Sequence, residues 1–197
     1  MGARRFEPFL AEVEARINLY GGNADQALSV ISKAWQKVNE LSIQHFIGPW
    51  VLATKALIIA RRISLSSDRD THTSEEVFEC LNDGAQLLAE GCVGHNYYRY
   101  WVAAIDALLL LGEKDKALDA LEKFKQYANS EPIPWTEYYL QRFHLLIESQ
   151  LPDSQVHKVD SWRKFEERSK RDSFFASLAF AEIIRPILPV HSNVATP

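Results

Sequence analysis

Cysteine is scarce in this chain of 197 residues: Cys80 and Cys92 are the only two. That is too few for a disulfide framework and points to a reducing compartment. Long apolar runs are missing as well. The longest, such as residues 107–111, fall far short of the roughly 20 residues a membrane span needs. No leader is expected at the start, where Arg4 and Arg5 precede alternating acidic and apolar residues instead of an apolar core segment. These absences predict a soluble, cytoplasmic protein with no membrane partner. An excess of positive charge is lacking too: the net charge is −4 and the pI about 5.9. This argues against a nucleic-acid partner. The one basic cluster, residues 163–171 (RKFEERSKR), carries two glutamates among its cations and reads as a solvated helix face. No strand-like alternation is strong enough to build a sheet.

Catalytic signatures are also absent. The chain contains no G-x-S-x-G and no H-E-x-x-H, and the turn at Gly112 lacks the Gly-Lys-Ser/Thr ending of a phosphate loop. Cys92 and His95 stand at a metal-like spacing, but a structural zinc site needs four ligands and only Cys80 and the loop residue His72 remain. They read as a buried thiol and a hinge histidine. The expectation is no catalytic residue, no metal and no cofactor.

What is present is helical periodicity. In the stretch 95–135, Trp101, Ala104, Ile105 and Leu108 share one helix face. Gly112 then ends the run in the position where a left-handed residue is cheapest. Ala117, Leu121 and Phe124 mark the face of a second helix. Thirty-four positions separate Trp101 from Trp135, the period of a tetratricopeptide repeat. Trp101, Gly112 and Ala117 occupy the places of that motif's tryptophan, turn glycine and small packing alanine.

The same arrangement occurs at the start of the chain. Residues 6–20 carry a helical stripe ended by Gly21-Gly22, and Asn23 with Gln26 proposes a capping box for a second helix through about residue 41. Gly22 precedes Ala27 by the same five positions that separate Gly112 from Ala117. Gly48-Pro49 is then expected to punctuate the chain, with Trp50 opening a third helix. The connections around 42–49 and 89–96 would exceed a strict 34-residue unit by about five or six residues. Residues 64–73 read as an inserted loop. Thr73 and Glu76 suggest a second capping box, and Gly91 closes the helix that follows. A helix after Trp135 ends at a break around Leu151-Pro152. Two more runs follow, 153–169 and 172–184, the last apolar enough to cap the end of the stack.

The fold expected is all-α: a tetratricopeptide-like α-solenoid of about four helical hairpins plus a C-terminal capping helix over residues 1–185. Residues 186–197 are expected to form a flexible tail. In such a stack the first helix of each pair faces a concave groove. Counting from the packing positions places Phe9, Glu12, Val13, Arg16 and Tyr20, and Arg99, Val102, Ala103, Asp106 and Leu110, along it. Mixed arginines, acids and aromatics suit an extended peptide or a partner helix. Asp106, alone on an apolar helix, is expected to pair with Arg99 or to face the groove.

The runs GCVGHNYYRYWVAAIDALLLLGEKDKA and EPIPWTEYYLQR carry a closer likeness. Through Gly91, Cys92, His95, Asn96, Glu131, Pro132, Pro134 and Trp135, residues of about 85–145 resemble the carboxy-terminal repeat region of bacterial proteins. Those proteins join a class III adenylate/guanylate cyclase domain to an NTPase module and tetratricopeptide-like repeats. The resemblance implies a non-catalytic helical region whose partner is a protein or peptide, or other domains of a longer chain. Neither the cyclase's metal-binding aspartates nor a Walker-type loop is present. The alternative is a small-molecule sensor in which Arg99 and the aromatics of residues 95–100 enclose a ligand and bias an attached catalytic domain.

Overall fold

The computed structural model describes residues 3–65, 73–130, 132–149 and 155–185, and all regular structure among them is helical. After a short turn at Ala3–Phe6 come α1 (Glu7–Tyr20), α2 (Ala24–Glu40), α3 (Gln44–Leu65), α4 (Ser74–Glu90) and α5 (His95–Leu110). They are followed by α6 (Lys114–Asn129), α7 (Pro134–Ser149), α8 (Gln155–Arg171) and α9 (Phe175–Ile184). The chain's punctuation explains most boundaries. Gly22 and Gly112 adopt φ of 85° and 75°, a left-handed geometry that glycine alone enters without a Cβ clash. Asn23 caps α2 by accepting the Gln26 backbone N–H at 3.2 Å. Gly91 closes α4.

Two local expectations fail. Thr73 precedes α4 in an extended conformation, but its side chain makes no cap hydrogen bond. Gly48-Pro49 does not start a helix either: α3 begins at Gln44 and runs through it. The connections on either side of this helix pair are therefore short, 41–43 and 91–94. Proline inside a helix leaves the carbonyl four residues earlier without its donor. That carbonyl belongs to His45, and the Val93 backbone N–H donates to it at 3.4 Å. One position on, the Asn96 side-chain amide donates to the Phe46 carbonyl at 3.0 Å. A long-range contact thus replaces what the sequence removes locally.

Consecutive helices pair as α1 with α2, α3 with α4, α5 with α6 and α7 with α8. The odd helices also form a row, α1 on α3, α3 on α5 and α5 on α7, while α2, α4 and α6 each touch the odd helix that follows. Contacted by α1, α2, α4 and α5, helix α3 is buried almost continuously from Ile47 to Ala60. A helix surrounded in this way has to be apolar around its circumference.

The ninety-residue offset between Gly22 and Gly112 relates α1 to α5. Leu10, Val13 and Ile17 are exposed on α1, at 71%, 49% and 66%. Their counterparts on α5, Tyr100, Ala103 and Ala107, are buried against the preceding pair. Tyr100 shows how tight that contact is: its hydroxyl donates to the Leu81 carbonyl at 2.6 Å, and a Cβ at Gly84 would fall 2.6 Å from its ring.

Helix α9 corrects a further expectation. It does not only cover the last pair: besides α8 it touches α7, α5 and the first helix, α1. Its Phe180 ring lies 5.2 Å from that of Tyr20. Leu178, Phe180, Ala181 and Ile184 are buried among these helices, while Ala176, Ala179, Glu182 and Ile183 face solvent. The expected break at Leu151-Pro152 and the tail 186–197 lie outside the described residues.

Candidate functional site

Helices α1, α3, α5 and α7 contact one another in sequence and α9 touches α1, α5 and α7; the expected groove residues on α1 and α5 fall into two groups with different surroundings. Toward the C-terminal end of α1 the charges are already paired. Glu12 is fully buried and ion-paired with Arg16 one turn on. Thr54 of α3 donates to Glu12 at 2.8 Å and accepts from Arg16 at 3.3 Å. Burial works against the Arg16 charge, but Glu12 and Tyr20 outweigh it and hold the guanidinium above its ordinary value.

Asp106 does not pair with Arg99. Its partner is Arg142 of α7, at 2.7 Å, with both side chains almost wholly inside. Burial raises the Asp106 carboxyl against the opposing pull of Arg142, the penalty expected for a charge taken out of water. Tyr139 lies beside this pair, its phenol pushed up by burial. Val102 and Ala103 are core, Leu110 is half-buried at the end of α5, and Val13 turns to solvent with Leu10 and Ile17.

The other end is built from Phe9 on α1, Phe46 and Trp50 on α3, His95, Tyr98 and Arg99 on α5, and Trp135 on α7. The His95 ring lies 5.6 Å from Phe9 and 6.1 Å from Trp50. Arg99 is placed between two indoles, 5.2 Å from the Trp50 ring centre and 5.4 Å from that of Trp135. Among the described residues it has no ion pair and no hydrogen bond to a side chain. Among the described residues Arg16 opposes its charge while Tyr139, Glu12 and Tyr20 favour it, and Glu12 is itself engaged by Arg16. Burial, and then Arg16, hold the Arg99 guanidinium below its ordinary value. Burial and Arg99 do the same to the His95 imidazole. Two buried nitrogens here, Trp50 Nε1 and His95 Nε2, have no hydrogen-bond partner among the described residues. A cavity of about 200 Å³ opens beside them, lined by His95, Tyr98, Arg99, Ile133 and Trp135.

The remaining motif residues have structural surroundings. Trp101 and Trp135 are half-buried instead of lying in the core. Trp101 lines a cavity of about 220 Å³ between α4, α5 and α6. Trp135 packs on Tyr139 at 4.4 Å. Ala27 and Ala117 are fully buried. Cys92 Sγ donates to the Leu87 carbonyl at 3.1 Å, and no group of His, Cys, Asp and Glu among the described residues could hold a metal ion. Pro132 and Pro134 flank the entry into α7. No helix among the described residues is long and apolar enough to cross a membrane. The basic segment of α8 pairs with its own acids, Arg163 with Asp160 and Lys170 with Glu166.

Sequence reasoning placed Trp50 at the opening of a helix as a motif residue and not in this site, and it missed Phe46, because the expected break at Pro49 took the first turn of α3 out of the count. It also missed Arg142, whose role needs a partner on another helix. No protein-family model matches the chain, and comparison with curated proteins and with solved structures finds no match.

Proposed function

We propose that this protein is a tetratricopeptide-like α-solenoid that serves as an interaction and regulatory module with no chemistry of its own. Its inner face holds a helical or extended segment of a partner. Sequential helix pairs, left-handed turn glycines and buried alanines at equal offsets support the repeat architecture. The observation that carries the binding role is α9: the inner face already accommodates a helix of the same chain, with Phe180 on Tyr20. A surface that takes a helix in cis has the curvature and apolar lining that helix-in-groove recognition uses. The end around Phe9, Arg99 and Trp135 is left partly exposed for the partner. The resemblance of residues 85–145 to cyclase-associated repeat regions favours a regulatory role, with the partner a protein or another domain of a longer chain.

Selection of peptides from a random display library on the full chain tests this reading. Selected peptides should lose affinity for Trp135→Ala and Tyr98→Ala variants whose melting temperature is retained. If no peptide is enriched, or if the enriched ones bind both variants unchanged, the inner face is not the docking surface.

A further inference from the structure

Arg99 presents a physical problem that the rest of the fold solves elsewhere. Arg16 and Arg142 each have a carboxylate, Glu12 and Asp106 respectively. Among the described residues Arg99 contacts the faces of Trp50 and Trp135 and no carboxylate, yet it is half-buried and its charged neighbour Arg16 repels it. Indole faces attract a cation, but they leave its in-plane N–H donors unused. Those donors belong to a side chain that lines an open cavity of about 200 Å³.

We propose that this cavity binds a carboxylate carried on a short apolar body, with Arg99 as its counter-ion and Trp135, Ile133 and Tyr98 enclosing the body. The assignment rests on the inner face being a ligand-binding surface. A guanidinium offers a planar fork that matches a carboxylate, and a charge-assisted pair of this kind is stronger than a neutral hydrogen bond. A single cation with no carboxylate partner among the described residues suits a monoanion better than a doubly charged phosphate. The apolar wall excludes a ligand that is polar throughout. A cavity of about 200 Å³ lies below the roughly 300 Å³ at which drug-sized sites begin. It therefore takes either a small free carboxylate or the tip of a larger molecule, such as an acidic side chain or chain end of a peptide.

Benzoate is the probe for the shared chemistry, read through the indole N–H resonances of the full chain labelled at its five tryptophans. Benzoate should shift Trp50 and Trp135 saturably, while benzamide, equal in shape but uncharged, should not. Arg99→Gln should weaken benzoate binding by roughly ten- to a hundredfold with the fold intact. A peptide ending in a free carboxylate that displaces benzoate and loses binding on amidation would assign the source to a macromolecule. Benzoate binding without such displacement would assign it to a free metabolite. Equal shifts with benzamide, no saturable shift at all, or full benzoate affinity in Arg99→Gln would overturn the assignment. If library peptides still bound Arg99→Gln while benzoate was inert on the native chain, the carboxylate assignment would fall and the groove reading would stand. A purely structural Arg99 would lower the melting temperature on substitution and leave no benzoate response in either protein.

Discussion

Asp106 on α5 and Arg142 on α7 stand thirty-six positions apart in sequence and meet at 2.7 Å, enclosed on all sides. The pair joins the third and fourth helix pairs through charge. Taking both ions out of water is costly, and their attraction offsets that cost only while both are present.

Removal of either partner should therefore be severe. Asp106→Leu or Arg142→Met should each cost about 3–5 kcal/mol in urea unfolding, because the other charge is left buried alone. Asp106→Leu combined with Arg142→Met should recover most of that loss. Additive losses in the double variant would mean that the two residues do not act as a pair.

Gly84 should tolerate no side chain while Tyr100 is in place. The Gly84→Ala methyl would approach the Tyr100 ring to 2.6 Å, and overpacking of this kind costs about 1–3 kcal/mol. Chemical denaturation of Gly84→Ala in a Tyr100→Leu background should show a much smaller difference. An equal penalty in both backgrounds would mean that the ring is not what excludes the methyl, since alanine is the better helix former and should otherwise stabilise α4.

His95 makes a pH prediction. Its folded-state value is depressed by burial and by Arg99, so below its unfolded value near 6.5 the unfolded chain binds a proton that the folded chain does not. Stability attributable to His95 is thus present above that value, falls as pH drops through it, and levels off only below the folded value. His95→Phe, which keeps an aromatic ring beside Phe9 and Trp50, should flatten the curve of melting temperature between about pH 7.5 and 5. Superimposable slopes would contradict it.

The ninety-residue offset between α1 and α5 can be tested by paired substitutions. Val13→Asp, on the exposed side of α1, should change stability by no more than about 0.5 kcal/mol. Ala103→Asp, at the equivalent position of α5, should prevent folding, because it buries an unpaired carboxylate between α5 and the preceding helices. Similar effects at the two positions would break the correspondence.

The helices, their turn glycines and the Asn23 cap were legible in the residues because all three depend on interactions within a few positions. Periodicity shows which face is apolar, and a left-handed turn calls for glycine wherever it occurs. The start of α3 was misread for the same reason. Pro49 is a local stop signal, and only the Val93 and Asn96 donors from a distant segment allow the helix to pass through it.

The candidate site divides along the same line. That Asp106 is unusual could be seen from its place on an apolar helix, and Arg99 could be placed on the expected groove. That Asp106 is neutralised by Arg142 while Arg99 is left between Trp50 and Trp135 could not. The chemistry of each side chain is written in the sequence. Which charge meets a counter-charge is decided by how α1, α3, α5, α7 and α9 come together, since an ion pair requires contact in space and these residues are dozens of positions apart along the chain.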